Sequence, residues 1–169
     1  MGSRFLSNLD VEEISEMHGK FNPHAKISND DIRLSHEVPI VVSYDLVDMG
    51  TTAYNFSQHF EERDTQEYFT KMKIISFSSI DDLTDKYSNN PDWHFHRTNI
   101  TGNIRKNLKQ LFPNGDFDNM FIYHFSLYTC QSANRERNVR APRIYFLVGR
   151  NGIIYILFFD PYHELNPIG

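Results

Sequence analysis

Residues 142–164 read PRIYFLVGRNGIIYILFFDPYHE. Two apolar runs, Arg143 to Val148 and Ile153 to Asp160, flank Gly149-Arg150-Asn151-Gly152. Asn-Gly is a strong hairpin signal, because tight turns between antiparallel strands demand positive φ at their central residues. The spacing therefore predicts a β-hairpin. Its second strand, IIYILFFD, is apolar on both faces, as a central strand should be. Pro161 cannot donate to the ladder, so the chain must turn after Asp160.

Strand signals continue upstream. Met120 to Thr129 places Phe121, Tyr123, Phe125 and Leu127 on one face and His124 and Ser126 on the other. Trp93 to Thr98 (WHFHRT) alternates and predicts another strand, and the β-branched Pro39 to Asp48 (PIVVSYDLVD) a further one. Helical spacing runs from Glu61 to Ile75, with Tyr68, Met72 and Ile75 in one stripe and Phe69 beside it. Ser79, with Asp82 three residues on, caps a short helix carrying Ile80, Leu83 and Tyr87. Gly102 to Phe112 is amphipathic, with Ile104, Leu108 and Leu111 on one face. Asp10 to Met17 reads as a short helix, residues 19–38 and 50–58 as loops, and 130–142 as a polar, basic loop.

The expected fold is one α+β domain over residues 1–169, in which 1–38 form an N-terminal helix and loop extension. Residues 39–169 form the core, a mainly antiparallel four- to five-stranded sheet with helices packed on one face. A chain of 169 residues, 40% hydrophobic with 14 Phe and 9 Tyr, has ample material for that core and is neither disordered nor disulfide-stapled. No apolar run is long enough to span a bilayer, which excludes a helical membrane anchor. The N-terminus lacks the apolar core of a secretory signal and Cys130 is the single cysteine, so a cytoplasmic location is expected.

Charge divides the chain. Residues 1–92 hold 8 Lys and Arg against 17 Asp and Glu, whereas residues 93–169 hold 9 against 5. Either the basic half meets a polyanion or the two halves meet each other. Arg135, Arg137, Arg140, Arg143 and Arg150 lie in or beside the basic loop, and with Arg97 they are the candidate nucleic-acid contacts. The acidic N-terminal region would then act as a polyanion mimic that restrains RNA binding, or as scaffold.

The densest polar cluster is Asp160-Pro161-Tyr162-His163-Glu164, at the end of the central strand, where side chains stand free on a rigid base. Its alternative role is a structural turn in which Asp160 caps local amides.

Residues 93–164 resemble the core of RelE/YoeB-like messenger-RNA interferase toxins. The resemblance is carried by FHRT (Phe95 to Thr98), YHFSLYT (Tyr123 to Thr129) and the closing hairpin, in which an Arg opens one strand and a Tyr/His pair follows the next. It implies a RelE-like core with an N-terminal extension. It also implies metal-independent RNA cleavage, by attack of a 2′-hydroxyl on the adjacent phosphate, in a toxin–antitoxin or phage-defence module. Carried over by position, His163 is the general acid and Arg143 the phosphate clamp. Glu164 or His96 is the base, and Tyr162 stacks on a base or orients the phosphate. No cofactor is implied. The implied partners are RNA, free or on the ribosome, and a cognate antitoxin protein, with no membrane.

Three other readings compete. His94, His96 and His124 with Asp160 could supply metal ligands, although no helical metal motif accompanies them. His96-Arg97-Thr98 and His124-Phe125-Ser126 are both His-x-[Ser/Thr] and are similar to the paired motif of two-histidine phosphoesterases. The same fold could also serve a non-catalytic binding protein whose acidic half meets a basic partner.

Overall fold

A computed structural model describes residues 29–100, 102–117, 120–128 and 139–166. The expected helix at 10–17, Cys130 and the segment holding Arg135 and Arg137 lie outside them.

The hairpin forms as expected. Strand β4 (Arg143–Val148) and strand β5 (Ile153–Asp160) pair antiparallel across a 3-10 turn (Arg150–Gly152), in which Asn151 has φ 55° and Gly152 has φ 72°. Gly152 is required twice over, because a Cβ there would also lie 2.7 Å from the carbonyl oxygen of Pro39. Strand β3 (Ile122–Ser126) pairs antiparallel with β4, and β2 (His96–Thr98) antiparallel with β3. Strand β1 (Val41–Ser43) joins β5 in parallel, giving the order β1-β5-β4-β3-β2. The fold is thus the expected α+β class with a mainly antiparallel five-stranded sheet.

Five helices accompany it among the described residues: α1 (Asn29–Glu37), α2 (Phe56–His59), α3 (Glu62–Ile75), α4 (Ile80–Tyr87) and α5 (Gly102–Leu111). The expected starts of α3 and α4 are made by capping boxes, Glu61 with Asp64 and Ser79 with Asp82. Tyr68, Met72, Ile75, Ile80 and Leu83 from these two helices pack with Phe95, Tyr123, Phe125, Ile144 and Phe146 on one sheet face. Helix α5 packs on the opposite face, where Ile104 and Leu108 meet Ile122, Leu147 and Phe158. Helices therefore cover both faces rather than one. That is why β5 needs apolar residues on both sides.

Three local expectations change. Residues 29–37, expected in a loop, are helical. Their support is tertiary: His36 sits 3.4 Å from Asp81 of α4 and edge-on to Tyr123. The strand expected over 39–48 shrinks to three residues. After Ser43 the chain turns, and the Asp48 carboxylate gathers the amides of Gly50, Thr51 and Thr52 at 3.0, 2.7 and 2.9 Å. A one-turn helix, α2, interrupts the loop expected at 50–58, started by Asn55, whose side chain accepts from the amides of Ser57 and Gln58.

Candidate functional site

Strand register brings the polar residues together. His96 faces His124 across β2–β3, His124 faces Tyr145, and Ser126 faces Arg143 across β3–β4; Arg143 faces Asp160 across β4–β5. Directly opposed residues share a sheet face. A bulge, at which Phe146 pairs with Ile156 while Tyr145 pairs with Phe158, keeps Phe158 and Asp160 on the same face as Tyr145 and Arg143. Helix α5 fills the Ile122–Leu147 end of that face with apolar side chains, and the polar residues hold the Ser126–Arg143–Asp160 end.

Four imidazoles gather there. The His96 and His124 rings lie 4.2 Å apart in an edge contact, His94 is 6.5 Å from His96, and His163 is 6.2 Å from His124. His94 and His163 reach the cluster from backbone at φ 43° and φ 59°, strained values for non-glycine residues. The strain at His94 also ends the strand expected from Trp93, so only His96 to Thr98 pair with β3.

Asp160 builds the turn that presents His163. Its carboxylate accepts from the amide of Tyr162 at 3.2 Å and of Leu165 at 2.7 Å. The Ala141 amide donates to the Pro161 carbonyl at 2.9 Å, tying the turn to the segment that enters β4. The structural reading of Asp160 thus holds, and His163 stands on the loop that it shapes.

Arg143 is only 7% exposed. One terminal nitrogen, Nη1, donates to the carbonyls of Ala141 at 3.0 Å and Pro142 at 3.2 Å. Its Nε has no hydrogen-bond partner, and neither have His124 Nδ1, Ser126 Oγ and Tyr145 OH, all buried. Those four atoms belong to two adjacent cross-strand pairs on one face. An unmet buried polar group costs about 1–3 kcal/mol. Buried polar atoms are paired in most native cores, so four unmet ones in one patch call for an explanation.

Among the described residues Arg143 has no ion pair; the Asp160 carboxylate opposite it, which supports its charge at a distance, accepts from backbone amides. Burial lowers the pKa of His94, with Arg143 adding to the effect; burial and His94 lower that of His96, again helped by Arg143. His124 is held well below the usual imidazole range, chiefly by burial and then by His96. His163 is brought down to about 4, by burial first and the Arg143 guanidinium second. The lowered values favour the neutral, proton-accepting form of all four rings. Burial also lowers Arg143, which a guanidinium tolerates while staying charged. Behind the cluster the buried Lys71 ammonium donates to the carbonyls of Asp92 and Ser126, the latter at 2.8 Å, and lies over the Trp93 ring. Burial lowers it to about 8.

Of the residues singled out from the sequence, His163, Arg143 and His96 converge. Tyr162 and Glu164 share the turn. Glu164 is exposed. Arg97 points to the other face and stacks on Phe121 at 4.3 Å. Arg140 pairs with Glu61 at 2.8 Å and with the buried Asp64, so here the basic half meets the acidic half. Arg150 sits in the hairpin turn, at the far end of β4 from Arg143. Tyr145 and Lys71 were not anticipated. Among the described residues, no group of three or more His, Cys, Asp or Glu side chains is arranged to hold a metal ion. No helix of the described residues is long and apolar enough to cross a membrane.

No family model, no curated protein and no solved structure matches the chain.

Proposed function

We propose that the protein is a toxin-like, metal-independent endoribonuclease whose site is the Arg143–histidine cluster. The observation that carries this reading is the convergence of a buried, ion-pair-free guanidinium with neutral imidazoles on one sheet face. A guanidinium presents a fixed fork of donors suited to phosphoryl oxygens, and it gains strength in a water-poor setting. Imidazoles supply proton transfer near neutral pH.

The chemistry needs no other group. A neutral imidazole, His96, removes the 2′-hydroxyl proton as the 2′-oxygen bonds to phosphorus. Arg143 holds the phosphorane oxygens. His163, once protonated, gives its proton to the departing 5′-oxygen, leaving a 2′,3′-cyclic phosphate and a 5′-hydroxyl. His96 is preferred to Glu164 as base because it sits in the histidine cluster, whereas Glu164 is exposed.

The two-histidine arrangement draws support from the register pairing of His96 with His124. Rings in edge contact at 4.2 Å, however, leave no room between them for a phosphoryl group. RNA, a cognate antitoxin and a place in a toxin–antitoxin or phage-defence module belong to the same proposal. Induced expression tests it: the wild type should arrest growth, and His163→Ala and Arg143→Ala should not. Purified wild-type protein should cut RNA in EDTA. Equal tolerance of all three proteins, with RNA bound but uncut, would establish a binding protein instead. Loss of cutting in His124→Ala with His163→Ala active would favour the two-histidine arrangement.

A further inference from the structure

We propose that Lys71 is a positioning residue for the histidine cluster: its ammonium clamps a bulge at the mouth of β2 and β3, and the clamp fixes where His94 and His96 stand. The clamp is a feature of the fold, and only its effect on RNA cleavage rests on the nuclease reading.

The bulge is visible in the main chain. Continuing the pairing of His96 with His124 sets His94 opposite Ser126. The Ser126 amide points toward β2, so a regular antiparallel ladder would have these two residues exchange both main-chain hydrogen bonds. Instead that amide donates to the Trp93 carbonyl, one residue out of step, at 2.6 Å, and the His94 amide turns away to the Asn90 carbonyl at 2.8 Å. Trp93 and His94 thus oppose a single residue, the mark of a bulge, and His94 takes its φ of 43° there. A bulge re-aims side chains, and this one leaves the Ser126 carbonyl without the amide that a regular ladder would bring to it.

Lys71 meets that carbonyl. Its Nζ donates to the Ser126 carbonyl at 2.8 Å and also to the carbonyl of Asp92, on the segment that enters the bulge. One ammonium therefore joins both sides of the opening. Lys71 is buried, and its Nζ lies 4.6 Å from the centre of the Trp93 ring, which stacks on Tyr87 of α4 at 4.2 Å. Burying an ammonium costs more than burying a methionine of similar length, so the donors and not the stem account for a lysine here. On one side of the clamp His94 leads to His96, with rings 6.5 Å apart; on the other, Ser126 faces Arg143. Relaxing the bulge would shift the proton-transfer rings against the guanidinium, and small misplacements cost much in rate.

Imidazole NMR on the full chain tests the clamp. In Lys71→Met, which keeps the stem and removes the donors, the ring signals of His94 and His96 should move while those of His36 and His59, outside the cluster, stay in place. A second measurement needs no variant to fold. In the wild type the Lys71 ammonium, assigned through its side-chain carbons, should give a slowly exchanging nitrogen–proton signal at neutral pH, where exposed lysines give none. In RNA cleavage, Lys71→Met should lower kcat by about 10–100-fold with KM little changed. A missing ammonium signal, unmoved rings, equal movement of His36 and His59, or moved rings with unchanged kcat would each overturn the proposal. Ring shifts in a protein that does not cut RNA would leave the clamp standing and remove the nuclease reading. RNA cleavage with unmoved rings would do the reverse.

Discussion

Tyr145→Phe should make the protein more stable and less active. The Tyr145 side chain is fully buried and its hydroxyl has no hydrogen-bond partner. Its ring packs against His124 at 5.0 Å and joins the core beneath α5. Phenylalanine keeps those ring contacts and deletes only the oxygen. Folding no longer has to desolvate a hydroxyl that gains nothing in return, a burden of about 1–3 kcal/mol. Taking the low end, because the departing atom leaves a small void, the gain is about 1 kcal/mol, or roughly 2–4 °C in Tm for a chain of this size. Calorimetric Tm and the urea midpoint at pH 7.5 measure it. The same variant removes a donor from the patch beside Arg143, so anion affinity should fall. Destabilisation by 1 kcal/mol or more would show that the hydroxyl is satisfied in the folded state, and would refute the view that this patch holds polar capacity for a ligand.

Other expectations concern stability and pH. Asp64→Ala should destabilise by about 1–3 kcal/mol in urea, because it removes the buried partner of Arg140, which keeps Glu61, and leaves the Tyr128 hydroxyl without its carboxylate acceptor. Gly152→Ala should cost about 1–3 kcal/mol by the same assay, from strain at φ 72° and crowding against Pro39. Acid should weaken the fold in a defined window. The unfolded chain protonates His163 below about 6.5 whereas the folded chain resists until about 4, so stability is full above 6.5 and declines as pH falls toward 4. His94, His96 and His124, also lowered, add in the same direction. A urea midpoint unchanged from pH 7.5 to pH 5 would contradict this.

What could be read from the sequence follows from which forces were local. The hairpin was legible because Asn151-Gly152 and the two apolar runs act over neighbouring residues, α4 because its capping box lies within four residues, and α3 because Tyr68, Met72 and Ile75 recur at helical spacing. Helix α1 was not, since its partners Asp81 and Tyr123 are distant in the chain. His163 was legible in the polar cluster after the central strand, Arg143 through the interferase resemblance, and His124 through its His-x-Ser motif. Tyr145 could not, because an aromatic residue inside an apolar strand reads as core. Arg140 looked like an RNA contact because its partner Asp64 lies 76 residues away. Helices on both faces were foreshadowed by IIYILFFD, which is apolar on each side.

The origin of the attacking oxygen is the most direct test of the proposed chemistry. An RNA bearing a single 2′-deoxy nucleotide at a mapped cleavage position would be incubated with the wild-type protein in EDTA, and the fragment ends identified by mass spectrometry. Attack by the neighbouring 2′-hydroxyl predicts 2′,3′-cyclic phosphate ends on the all-ribose RNA and no cut at the deoxy position. Cleavage at the deoxy position, or 3′-hydroxyl ends, would contradict it.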